Sequence, residues 1–169
     1  MMKETYHHPF SEELLHFRLF VKWILLAMAV GIGVGGVAVI FYHCLRLALA
    51  YRLENPNIVF LLPLGGICIV AMYRFSGVRQ CKGTNRVISS IRSDEQIPLK
   101  MAPLIFLSTC ITHLFGGSAG REGAALQLGG SLAHQFGLLC KLDEKDIHII
   151  TMCGMSAAFS ALFGTPLSA

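Results

Sequence analysis

The sequence predicts an all-α integral membrane protein with a broken helix, and three observations carry that prediction. Only 14% of the 169 residues are charged and 54% are hydrophobic, whereas soluble domains carry about a quarter charged residues. Trp23 to Tyr42 and Ile58 to Tyr73 are runs of 20 and 16 residues without Asp, Glu, Lys or Arg, and about 20 apolar residues rising about 1.5 Å each cross a bilayer. A later apolar region is interrupted by Gly116-Gly117-Ser118-Ala119-Gly120-Arg121-Glu122-Gly123, where Arg121 and Glu122 are the only ionisable side chains. Lipid cannot satisfy the free backbone groups of such a break, so they must face protein or a water-filled cavity.

Residues Met1 to Lys22 are polar and mixed in charge. They predict a cytoplasmic N-terminal segment, with a surface helix from about Ser11, whose hydroxyl precedes Glu12 and Glu13 as a helix start requires. The membrane domain then runs from residue 23 to residue 169. Its first span, from Trp23, continues helical to about Ala50, and Ala27, Gly31 and Gly35 fall four apart on one face, a spacing that permits close helix packing. The span is too long and lacks the cleavage site of a signal peptide. Asn55-Pro56-Asn57 marks a turn, and the second run carries Pro63 and Gly65-Gly66, which predict a kinked span.

Arg74 to Lys100 holds six Lys and Arg, against three before the first span and two, Arg46 and Arg52, between the spans. The positive-inside rule places the N-terminus and this region in the cytoplasm, as a multi-pass plasma-membrane protein requires. Within the region, Gln80-Cys81-Lys82-Gly83-Thr84-Asn85 precedes a short amphipathic helix over Thr84 to Ile91. Gly83 and Thr84 are candidate anion contacts because a helix N-terminus offers free N–H groups and a partial positive charge; a plain cap by Thr84 or Asn85 is the alternative.

Pro98 opens an apolar helix through Met101 to Phe115. After the break, Gly123 to Cys140 is uncharged but contains Gln127, Ser131, His134 and Gln135, a composition suited to a bundle interior. Asp143 is placed to cap the last helix, which re-enters the membrane over Ile147 to Phe163. His113, His134 and His148 have no relay spacing and read as buried, hydrogen-bonded histidines.

The composition excludes several classes. There is no basic run interleaved with aromatics, which argues against nucleic acid. Cys44, Cys68, Cys81, Cys110, Cys140 and Cys153 are scattered singly, so neither disulfide nor metal is expected, and no cofactor. No nucleophile or base accompanies Glu122, which disfavours an enzyme.

Gly120-Arg121-Glu122-Gly123 resembles the Gly-Arg/Lys-Glu-Gly-Pro element of the CLC chloride channels and anion/proton antiporters, with Ala124 where proline is usual. Gly154-Met155-Ser156-Ala157-Ala158-Phe159-Ser160-Ala161-Leu162-Phe163-Gly164-Thr165-Pro166-Leu167 is similar to that family's small-residue helix ending in Phe-x-x-Pro-Leu/Ile. The likeness covers roughly Trp23 to Ala169. It implies a CLC-type bundle and transport of chloride or fluoride, with Glu122 as gate and proton acceptor and anion contacts at Gly120, Arg121, Gly123 and Ala124. Lys82-Gly83-Thr84-Asn85, in place of Gly-Ser-Gly-Ile-Pro, resembles the fluoride-exporting branch. The resemblance also implies a homodimer in the bilayer, and two inverted repeats of which this chain, cut within an apolar pattern at Pro166 to Ala169, is most of the first. A passive anion channel and a nonfunctional membrane fragment are the alternatives.

Overall fold

The structure, a computed structural model, describes residues 9–77, 98 and 100–168, with side chains from residue 16 on. Five α-helices lie in this range, α1 (Pro9–Glu54), α2 (Leu62–Phe75), α3 (Met101–Leu114), α4 (Arg121–Leu139) and α5 (Glu144–Phe163), with a 3-10 turn over Pro56–Leu61 before α2. No strand occurs among the described residues.

The expected surface helix and first span are one continuous helix of 46 residues, about 69 Å long. Nothing between Pro9 and Glu54 interrupts the backbone. Gly31, Gly33, Gly35 and Gly36 would each weaken a helix in water by about 1 kcal/mol, but lipid offers their amides no competing partner. The helix ends where Pro56 pushes the preceding residue out of the helical region. Asn55 takes φ −125° and ψ 73°, and its amide Nδ2 donates to the carbonyl of Tyr51 at 3.1 Å. Pro63 then falls in the first turn of α2, where it fits, so the expected kink is replaced by a 3-10 turn followed by a regular helix.

Three helices are long and apolar enough to cross a membrane: α1, the 3-10 turn joined to α2, and α5. Their outward faces are apolar. On and before α2, Phe60, Leu64, Ile67 and Val70 are exposed and only Gly65 is buried, a lipid-facing distribution. At 14 residues, α3 is about 21 Å long and cannot cross alone. It ends at Phe115 with Gly116 at φ +84°, the Gly117 amide bonded to Thr112 O at 2.8 Å and the Gly116 amide to His113 O at 3.2 Å, a Schellman stop. The α3 terminus is thereby fixed inside the bundle, and the chain must turn back through the glycine-rich break.

The most buried helix is α4, with Ala124, Ala125, Leu128, Gly129, Gly130, Ser131, Ala133, His134 and Gly137 all buried, as its composition led us to expect. One core cluster joins Phe41 and Leu45 of α1, Met101 and Ile105 of α3, and Ala124 and Leu128 of α4. A second joins Val30, Val34 and Ala38 with Ala133, Ile150 and Ala158. Antiparallel α4 and α5 cross most closely at Gly129 and Gly154: a Cβ on Gly154 would stand 2.6 Å from the Gly129 carbonyl oxygen. Close packing was expected at Gly31 and Gly35 instead, yet a Cβ there would meet nothing within 4 Å. The four-residue spacing is present on α1, but no described helix lies against that face.

Several polar side chains within the apolar helices bond to their own backbone. Thr112 Oγ1 donates to Ser108 O at 2.7 Å, Thr151 Oγ1 to Ile147 O at 2.7 Å, and His113 Nδ1 lies 2.9 Å from Thr109 O. Asp143 sits at the start of α5 with an extended backbone but makes no side-chain cap bond, contrary to expectation. The neighbouring carboxylate of Asp146 accepts from Lys22 Nζ at 3.3 Å, tying one end of α1 to one end of α5. Both partners are solvent-exposed to a degree that leaves such a pair worth about 0.5 kcal/mol or less. Lys22→Met is therefore expected to leave the thermal midpoint in detergent nearly unchanged; a large drop would contradict this.

Candidate functional site

The break returns the chain to a cleft rather than to the far surface. Phe115, just before it, packs over Gly65 of α2, where a Cβ would approach Phe115 Cδ2 to 2.6 Å. Gly116 lies against the Arg52 guanidinium, 3.0 Å from Nε to a Cβ built there. Glycine is thus required at 116 for backbone conformation and for space. Four residues on, Gly120 is extended (φ −68°, ψ 121°) and α4 begins at Arg121 without any side-chain cap.

The amides of Gly120, Arg121, Glu122 and Gly123 consequently have no helical acceptor, whereas that of Ala124 is the first the helical ladder takes up. Gly120, Arg121 and Glu122 line an open cleft of about 480 Å³ together with Ala119, Tyr42 of α1 and Leu162 and Phe163 of α5. Free donors at the positive end of a helix dipole, in a cleft with apolar walls, make a site for a small anion. Glu122 occupies the first turn of α4 and is exposed to the cleft. Neither it nor Arg121 forms an ion pair with another described residue.

The sequence-derived residues are only partly gathered here. Gly120, Arg121 and Glu122 face the cleft; Gly123 is half-buried beside them; the Ala124 side chain is buried in the core with Phe41 and Leu128. Gly83 and Thr84 lie outside the described residues. Tyr42, Leu162 and Phe163 are additional lining residues. Phe163 had a signal in the Phe163-Gly164-Thr165-Pro166 motif: Gly164 at φ +68° stops α5, which sets Phe163 on the wall. A second cavity of about 360 Å³, between Val37, Pro103, Phe106 and Leu132, has no polar side chain in its lining and cannot hold a bare anion.

From Lys22 to Tyr42 is 20 residues of α1, or about 30 Å along the axis. The α5 segment from Asp146 to Phe163 runs in parallel beside it. The cleft therefore lies at the end of these helices opposite the Lys22–Asp146 pair.

Residues 65–169 match the family model of the voltage gated chloride channel. The chain belongs to the voltage gated chloride channel family. A chloride/fluoride channel protein of Pseudomonas syringae pv. tomato is 36% identical over 164 residues, covering 96% of this chain and 36% of that protein. An uncharacterized protein of Methanocaldococcus jannaschii is 31% identical over 155 residues, covering 88% of this chain and 37% of the relative. The crystal structure of a CLC-type fluoride/proton antiporter is similar in fold, with a TM-score of 0.79 and 38% identity, over 85% of this chain and 36% of that one. The chain thus spans little more than a third of the length of these relatives, and within that part its all-helical fold is the voltage gated chloride channel fold.

Proposed function

We propose that this chain supplies the Glu122 side of a halide path in a proton-coupled antiporter, with fluoride as the halide. The observation that carries the reading is the meeting of uncapped amides at the start of α4 with an exposed acid in one cleft. Deprotonated, Glu122 competes with a free anion for those amides; protonated, it loses its attraction to them and yields the site. One side chain then couples proton and anion. Gly120, Arg121 and Gly123 provide the contacts, the expected contact at Ala124 giving way because its amide enters the helical ladder, and Gly83 and Thr84 are further anion contacts.

Fluoride is supported by the Lys82-Gly83-Thr84-Asn85 element and by the names of two similar proteins, a chloride/fluoride channel protein and a fluoride/proton antiporter. With the Arg74 to Lys100 charge excess inside, the N-terminus is cytoplasmic, residues 1–22 form the cytoplasmic segment, and the cleft opens outward across the plasma membrane in a homodimer. The passive-channel reading draws on the Pseudomonas relative's name.

Liposomes holding the full-length polypeptide that contains this chain, loaded with fluoride or chloride, separate the two readings. Fluoride efflux is expected to draw protons inward against their own gradient. Efflux with no proton movement would leave the channel, and no flux of either halide would remove both.

A further inference from the structure

The lining of the Glu122 cleft includes one neutral side-chain donor, and neither its place in the chain nor its role follows from the glycine-rich break. Tyr42 stands on the wall contributed by α1, 37% exposed, and its hydroxyl has no hydrogen-bond partner among the described residues. One turn further along α1 the Arg46 guanidinium lies over the Tyr42 ring, 5.9 Å from the centroid, and His43 meets the same ring edge-on at 5.7 Å. A guanidinium over an aromatic face is attracted by the ring quadrupole, which favours this placement of the ring. Arg46 itself is exposed.

An anion that sheds water on entering needs replacement donors on more than one side. The amides of Gly120 to Gly123 offer them from the α4 side. The other lining residues are Ala119, Leu162 and Phe163, whose side chains offer none, and Tyr42, which offers an O–H. We propose that Tyr42 is a specificity-determining contact of this site: its hydroxyl donates to the entering halide from the α1 wall, and the exposed Arg46 beside the ring adds positive charge that attracts anions. This rests on the anion-path reading given above. A compact, strongly hydrated anion gains most from one added donor, so the contact favours fluoride over larger halides.

The test uses the full-length polypeptide in liposomes, with fluoride presented to one face at a time and half-saturation measured for wild type, Tyr42→Phe, Arg46→Gln and Glu122→Gln. Losing one hydrogen bond to a charged group is expected to raise half-saturation on the cleft face about tenfold in Tyr42→Phe, with the opposite face unmoved and the preference for fluoride over bromide reduced. Arg46→Gln is expected to raise it about threefold at low salt and not measurably at high salt, as for a screened surface charge. Tyr42→Phe altering both faces equally, or neither, overturns the proposal while the gate reading stands if Glu122→Gln has lost proton coupling. Intact coupling in Glu122→Gln removes the gate reading and this inference with it.

Discussion

Glu122→Gln is expected to abolish proton movement while halide still crosses. The amide keeps the size of the side chain but carries no charge, so it cannot compete with an anion for the amides of Gly120 to Gly123, and it has no carboxylate to accept a proton. Removing a positioned proton acceptor typically costs about 10²-fold or more, and proton flux under a halide gradient should fall at least that far. Passive halide efflux should persist, because the donors at the start of α4 are backbone and survive the substitution. Simultaneous recording of pH and halide in the vesicle interior checks both. Proton flux equal to wild type would mean that Glu122, exposed beside Arg121 at a helix end, is an interfacial residue.

Gly154→Val is expected to produce a large loss of stability. At this crossing the obstacle is backbone: a Cβ on Gly154 would press on Ala133 Cβ and on the Gly129 carbonyl, and one on Gly129 would stand 2.6 Å from Ala158 Cβ. A flexible side chain could move aside, but two helix backbones cannot do so without separating α4 from α5. Overpacking of a tight core costs about 3 kcal/mol at the upper end of its usual range. Met152→Ala, at an exposed position of the same helix, should shift stability by about 0.5 kcal/mol or less. A detergent melt in which both variants match wild type would contradict the close crossing. The consequence extends to the site, since α5 holds Phe163 against the start of α4.

What could be read from the sequence, and what could not, divides by whether the signal is local. The break was legible because glycines cluster and a lone charged pair stands among apolar residues, and both follow from backbone chemistry at that point. The interior position of α4 was legible from Gln127, Ser131 and His134 in an otherwise uncharged helix. The stripe of Gly31 and Gly35 meets no described helix, since a spacing says which residues share a face but not what lies against it. Gly129 and Gly154, far apart in sequence, make the close approach instead. Asp143 had the right residue type for a cap, yet whether its oxygen reaches an amide depends on a rotamer that no pattern records. Tyr42 was invisible as a site residue because only the packing of α1 beside α5 and the start of α4 brings it to Glu122. Trp23 to Tyr42 read as a span, and its last residue turned out to be a wall of the cleft.

The central claim is that the Glu122 carboxylate and a halide compete for the same amides. Halide binding to the purified full-length polypeptide, measured by calorimetry from neutral to acidic pH for wild type and Glu122→Gln, tests it most directly. The account predicts that wild type binds more tightly as pH falls and the carboxylate is neutralised, and that Glu122→Gln binds at every pH as wild type does in acid. Binding that ignores both pH and the substitution would contradict it.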